Sequence, residues 1–234
     1  MNIIITGAAG GIGADLVKEY CKDPSNRVIA ISRNEEKLEF LKAYCESNYS
    51  NPPEILALDI CSLPDDRLSR LLTNFDKVDI LINNAGLLIN KPFTELSKKD
   101  WYDSFEVNLF GAVELIKICL DKLEAAGCAH IVNIGSMGGF QGSSKFPGLS
   151  AYSASKGALA VLTECLSVEL SGKGIRTNCL CLGAVNTDML ANAFPGYRAP
   201  VKSEDMAAFV AAFSEDAHRF MDGKIVPVAL SNPN

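Results

Sequence analysis

Tyr152 and Lys156 stand four residues apart in the stretch Ser-Ala-Tyr-Ser-Ala-Ser-Lys-Gly that begins at Ser150. On a helix this spacing puts a phenol and an ammonium on one face. A nearby cation favours phenolate, so such a pair can bring a tyrosine from about 10 toward neutral pH and make it a proton donor and acceptor. Tyrosine and lysine also meet at this spacing by chance, so the pair takes its meaning from the elements around it.

The first of these elements is a β-branched run over residues 2–6 that breaks into Gly7-Ala-Ala-Gly-Gly11-Ile12-Gly13, followed by helical spacing over 14–21. A glycine turn between strand and helix lets the backbone approach a pyrophosphate, and the amides that open the helix attract its charge. The spacing Gly-x-x-x-Gly-x-Gly departs from the commoner Gly-x-Gly-x-x-Gly, so the reading rests on its position between strand and helix. Ser32 and Arg33 follow a second strand, 27–31, about 20 residues beyond the glycines, where an acidic residue would hold the ribose of NAD. A guanidinium suits a 2′-phosphate instead, which favours NADP(H) over NAD(H). The alternative is a solvated surface arginine.

Asp59 and Ile60 end a third strand, 54–58, on the side where a parallel sheet binds ligands. Asp59 accepts from an adenine amino group there, or it caps a helix beginning after Ser62. Asn84, Ala85 and Gly86 close the strand 79–82, and small and amide residues suit a wall against a cofactor, with asparagines tying neighbouring strands together. A long helix over 99–125 carries Asn108 within an apolar run. Such an asparagine is either functional or simply satisfied on the surface or in the core. A strand over 130–134 leads to Ser136, whose hydroxyl lies at a strand end. A helix over 151–170, a strand over 175–182, a loop from Gly183, a helix over 203–213 and a strand over 224–228 complete the chain. Strands alternating with helices throughout predict an α/β fold, one doubly wound parallel sheet in a single domain over 1–234.

Composition narrows the partners. The chain has 234 residues, 48% of them hydrophobic, enough for a sizeable core, and its net charge of −6 argues against nucleic acid or an anionic membrane as the main partner. No apolar run reaches the ~18 residues of a membrane span and the start lacks a basic, signal-like segment, so a cytoplasmic protein is expected. The eight cysteines are scattered through apolar stretches and read as reduced core thiols. Cys179 and Cys181 share a strand face, but with no second pair and only His130 and His218 as histidines, no metal site is expected.

On Thr6-Gly-Ala-Ala-Gly-Gly-Ile-Gly13, Asp59, Asn83-Asn-Ala-Gly86, Asn108, Ser136, Tyr152-x-x-x-Lys156 and the loop 183–187, the chain resembles the short-chain dehydrogenase/reductases over essentially its whole length. Within them it looks like the NADP-preferring 3-oxoacyl-acyl-carrier-protein reductases. The resemblance implies a Rossmann-type, seven-stranded sheet of order 3-2-1-4-5-6-7 flanked by helices. It also implies an oxidoreductase that interconverts a carbonyl and a secondary alcohol by hydride transfer. Tyr152 would be the general acid/base, Ser136 would bond the same substrate oxygen, Lys156 would hold the nicotinamide ribose while lowering the phenol, and Asn108 would hold a water in the proton relay. The implied cofactor contacts are Gly7, Gly11, Ile12, Gly13, Ser32, Arg33, Asp59, Ile60, Asn84, Ala85, Gly86, Tyr152, Lys156, Gly183, Val185 and Thr187. Ser136, Met137, Tyr152 and Met189 would meet the substrate. The rival reading is a regulatory protein that binds the cofactor without catalysis.

Three departures from the family pattern carry expectations. Leu182 stands in place of a usual proline, which is expected to loosen the loop after Gly183. Ser136 and Tyr152 are 16 apart, which makes residues 141–145 a small insertion over the site. The end from Pro227 to Asn234 lacks the usual Asp-Gly-Gly, one of the contacts of tetrameric relatives. A short lid over 188–202 contributes Met189, Leu190, Phe194 and Tyr197, and Leu87, Met137, Phe140 and Phe146 add apolar walls or pack under loops. An apolar or mixed small carbonyl compound is the substrate class these residues suggest, a 3-oxoacyl thioester being one candidate. The helices around Asn108 and Lys156 look too apolar for one-sided burial, so a homodimer or homotetramer is expected.

Overall fold

A computed structural model describes residues 1–230, and the expected end beyond Leu230 lies outside the described residues. The apolar runs become strands β1 (Asn2–Thr6), β2 (Arg27–Ser32), β3 (Glu54–Ala57), β4 (Ile80–Asn83), β5 (Ala129–Ser136) and β6 (Ile175–Leu182). The short strands β7 (Val185–Asn186) and β8 (Val201–Lys202) pair only with each other, and β9 (Ile225–Val228) returns to the main sheet. That sheet has the order β3-β2-β1-β4-β5-β6-β9, every neighbour parallel. This is the expected 3-2-1-4-5-6-7 arrangement with the two short strands interposed before the last.

Alternation along a strand decides which layer each side chain joins. In β1, Ile3 and Ile5 pack with Leu16 and Val17 of α1 (Gly11–Cys21), Leu38 and Leu41 of α2 (Glu35–Asn48), and the far C-terminal helix. Ile4 faces the other way, toward Leu68 of α3 (Asp66–Leu72). The same layer holds α4 (Lys98–Phe105), which follows a Ser97/Asp100 capping box, and α5 (Gly111–Ala125) with its buried Leu115 and Ile116. Completing the chain are α6 (Ser150–Glu169), α7 (Asp188–Ala193) and α8 (Ser203–Asp216), the last packing Met206 and Val210 on the first layer. Both sheet faces are thus covered, which is why the inner strands read as continuous apolar runs. Each fully buried Ile or Leu contributes on the order of 1.5–3 kcal/mol.

Two boundaries differ from expectation. The helix expected over 99–125 is split by a π-turn, Glu106–Phe110, in which the Gly111 amide reaches back five residues to the Glu106 carbonyl. The extra residue turns Asn108 inward, to 1% exposure. Gly111 is required at the restart because a Cβ there would lie 2.7 Å from Ile60 Cδ1. Asp59 does not cap the helix after Ser62. It accepts from the Cys61 amide at 3.0 Å to cap a single 3-10 turn, and Asp65 caps α3.

Not all the cysteines are core thiols. All eight are free, but Cys128 and Cys165 are exposed and Cys61 is half-buried. Among the described residues no helix is long and apolar enough to cross a membrane, and no three of His, Cys, Asp and Glu are grouped to hold a metal.

A polar network lies within the layer under α8. His130 Nδ1 donates to the Ser214 carbonyl at 2.9 Å, and its Nε2 accepts from Asn178 Nδ2 at 2.9 Å. Tyr20 bonds the Ser214 hydroxyl at 2.5 Å, and Asn178 Oδ1 accepts from the Lys224 amide that leads into β9. Burial holds the imidazole neutral, with its pKa lowered to about 4.

Candidate active site

The carboxyl ends of the inner strands open into a cleft of about 730 Å³. Its floor depends on glycine. Gly7 has φ +66°, and a Cβ there would sit 2.8 Å from Ala85 Cα. At Gly13 a Cβ would sit 2.3 Å from the Gly7 carbonyl oxygen, so only a bare backbone lets α1 rest this close to its own turn. Thr6 Oγ1 accepts from the Asn84 and Ala85 amides at 3.0 Å each, and Asn84 Nδ2 donates to the Thr6 carbonyl at 2.9 Å. Asn83 Nδ2 bonds Asn133 Oδ1 at 2.8 Å, and Asn133 in turn bonds Thr163 Oγ1. These amides tie β4 to β1 and to β5, as their positions suggested.

A dinucleotide fits this floor. The Gly10 residue that precedes α1 supplies no side-chain cap, so the opening amides of the helix stay available to an anion, and the glycines leave the approach clear. Gly11, Ile12, Ser32, Arg33, Asp59, Ile60, Asn84, Ala85, Gly86, Gly183, Val185 and Thr187 all line the cleft with Gly7. Gly13 does not, because its part is to let the helix pack. At the β2 end the Arg33 guanidinium is exposed and 4.0 Å from Asp59 Oδ2. Lys37 lines the same end and escaped the sequence reading. The signal for it was Asn34, whose side chain caps α2 by accepting from the Lys37 amide at 2.9 Å and so fixes where that first turn begins.

The opposite end holds Ser136, Tyr152 and Lys156. Ser136, at the tip of β5, accepts from the Gly138 amide at 3.1 Å, and Tyr152 stands close enough for the Ser136 hydroxyl to favour its phenolate. The glycine turn after Ser136 lies hard against α6, since a Cβ on Gly139 would be 2.6 Å from the Gly157 nitrogen. Tyr152, Lys156, Met137 and Met189 line the cleft beside it. Lys156 is buried and donates to the Ile134 carbonyl at 2.7 Å. Burial lowers its pKa to about 8, partly opposed by the Cys179 and Cys181 thiols.

The expected lowering of the phenol by Lys156 is not what this geometry produces. Burial raises the Tyr152 pKa, the nearby Ser136 hydroxyl pulls the other way, and the lysine ammonium is turned to the Ile134 carbonyl. The phenol therefore keeps its proton at neutral pH. Asn108 also differs from expectation. Its Oδ1 accepts from the Leu87 amide at 2.7 Å, and its Nδ2 donates to the Leu87 carbonyl and to Ser155 Oγ, each at 2.9 Å. Ser155 Oγ bonds the Tyr152 carbonyl at 2.8 Å. Asn108 stands behind the cleft wall with its side chain committed to protein partners, a brace between the 84–87 segment and α6 rather than a side-chain water ligand.

The departures resolve physically. The loop after Leu182 is anchored, because Leu182 is buried, the Gly183 amide donates to the Val228 carbonyl at 2.8 Å, and β7 pairs with β8. Residues 141–145 fold away from the cleft. Ser143 Oγ donates to the Met137 and Phe140 carbonyls, and Lys145 reaches the Phe140 carbonyl at 2.5 Å. Phe146 and Leu149 line the cleft in their place. Phe140 packs instead against Ala160, Cys179 and Cys181, and Leu88 lines the wall where Leu87 was expected. From the lid, Met189, Leu190, Phe194 and Tyr197 face the cleft.

Comparison with known proteins agrees with this geometry. A 3-oxoacyl-acyl-carrier-protein reductase of Rickettsia felis is 29% identical over 236 residues, covering 96% of this chain and 93% of that protein. A putative NAD(P)-dependent gluconate 5-dehydrogenase from Beutenbergia cavernae, solved with bound NADP, superposes with a TM-score of 0.85 at 28% identity, covering 97% of this chain and 94% of that one. A putative short chain dehydrogenase from Escherichia coli complexed with NADPH gives 0.87 at 28% identity, covering 97% and 95%. The model of the short chain dehydrogenase family matches residues 1–198, and the chain belongs to that family of oxidoreductases.

Proposed function

We propose that the protein is an NADP(H)-dependent oxidoreductase that interconverts a carbonyl and a secondary alcohol, with Tyr152 as the general acid/base. The observation that carries this reading is the Tyr152 phenol, kept protonated by burial and set with Ser136 in the cleft that the dinucleotide floor continues. When bound, the nicotinamide supplies the hydride that adds to the carbonyl carbon. Tyr152 gives its proton to the carbonyl oxygen as negative charge develops there. Ser136 Oγ already accepts from Gly138, which leaves its own proton for the same oxygen. A donor fixed in this way costs no reorganisation during the reaction, and removing one costs about 10²–10³ in rate. Lys156, charged below about pH 8, brings a cation to the cleft, on the side where the resemblance places the nicotinamide ribose.

Arg33 and Lys37 support NADP(H) over NAD(H), because two cations at one end of the cleft suit a 2′-phosphate. Tyr152→Phe tests the catalytic part: turnover should vanish while NADPH affinity, read by nicotinamide fluorescence, stays nearly unchanged. Retained turnover would remove Tyr152 from its role. Arg33→Asp should move the preference toward NADH, and an unchanged preference would leave Arg33 a surface residue.

The same reading includes a homodimer or homotetramer. Phe110, Val161 and Val168 expose 46%, 59% and 76% of their surface on and beside α5 and α6, an apolar face a second copy would cover. Light scattering at micromolar concentration would refute it by giving a monomer.

A further inference from the structure

The cleft segregates its charge. Its two exposed cations, Arg33 and Lys37, belong to the end beside β2. On the side of Ser136 and Tyr152 the lining includes Leu88, Met137, Phe146, Leu149, Phe194 and Tyr197. They come from four segments that adjoin the catalytic groups: the stretch after β4, the turn after Ser136, the approach to α6, and the lid. Among the described residues, two bring charge to this end, Lys156 and Asp188. The Lys156 ammonium is buried and bound to the Ile134 carbonyl. Asp188 is an exposed carboxylate that opens α7, and it repels an anion.

From this we infer that the substrate is a neutral carbonyl compound with an apolar arm, and that the cleft discriminates against carbonyls bearing a carboxylate or phosphate. The inference rests on the reductase reading above and names the substrate class of that site. An anionic group set against these walls would give up its hydration without gaining a cation, whereas an apolar arm gains from every methylene removed from water. The step itself balances. Hydride from NADPH forms the new C–H bond, the carbonyl π pair takes the Tyr152 proton, and the alcohol and NADP⁺ leave while the phenolate recovers a proton from solvent.

Matched compounds isolate the charge. With NADPH, ethyl 3-oxohexanoate, the free 3-oxohexanoate and 5-ketogluconate should differ in kcat/KM, the ester exceeding both anions at least tenfold. Phe146→Arg should narrow that ratio by favouring the free acid. A readout without turnover uses ethyl hexanoate and hexanoate, which have no ketone to reduce: calorimetric titration of the NADP-loaded protein should give the tighter binding to the ester. Equal or better turnover of either anion overturns the inference and leaves the reductase reading standing. If no compound is turned over while ethyl hexanoate still binds in preference to hexanoate, the apolar-substrate inference stands and the reductase reading falls.

Discussion

Asn108 grips both the amide and the carbonyl of Leu87, at 2.7 and 2.9 Å, from the middle of a π-turn. A regular helix would carry that side chain past the loop. The extra residue of the turn brings it inward, where one amide spans the wall segment and, through Ser155, the helix of Tyr152.

Removing this brace leaves the Leu87 N–H, the Leu87 carbonyl and Ser155 without their partner. Asn108→Ala should cost about 2–4 kcal/mol of stability, since several buried polar groups lose hydrogen bonds together. Turnover should fall as well, through the displaced wall and α6. Urea denaturation that showed a loss below about 1 kcal/mol would mean the bonds carry little.

Reduction should be alkali-sensitive. Burial raises Tyr152, so the phenol remains a proton donor, while burial lowers Lys156 to about 8. Above that pH the amine loses the positive charge it brings to the cofactor cleft. The kcat/KM for reduction should be level near neutrality and decline above pH about 8, and a profile still level at about pH 9.5 would contradict the assignment.

Stability should depend on pH through His130. In the folded chain its pKa is lowered to about 4, chiefly by burial, against 6.5 when free. His218, whose ring lies 5.6 Å away, lowers it further, while Asp222 and the Ser214 carbonyl oppose the shift. Between those values the unfolded chain binds a proton that the folded chain does not, so stability is full above about pH 6.5 and is lost as pH falls toward 4. The loss should reach about 3 kcal/mol. Carboxylates add their own slopes, so the comparison is with His130→Asn. Melting curves of the two proteins should converge as pH falls from 6.5 to 4, and parallel curves would show that His130 carries no such linkage.

The alternating strands and helices and the dinucleotide floor were legible in the sequence because each rests on a local rule, while the order of the seven strands came with the family resemblance. Apolar runs alternate with helical spacing, and glycines stand where a turn must be bare. Tyr152, Lys156, Ser136 and Arg33 were legible as residues for the same reason. Contacts between distant segments were not. No local pattern says that Asn108 lies in a π-turn, because the extra residue is stabilised by Leu87 and Ser155, 21 and 47 positions away. Nor does spacing say where the Lys156 ammonium points. At helical distance from Tyr152 it was expected to tune the phenol, but β5 offers the Ile134 carbonyl and burial governs both pKa values. Likewise, the length of the 141–145 segment was visible in the chain, but its direction was decided by the Met137 and Phe140 carbonyls that Ser143 and Lys145 reach. The sequence by itself determined which groups are present and which elements carry them. Tertiary structure decided which charges are desolvated, which amides are committed, and which side chains face the cleft, because those depend on neighbours far away in the chain.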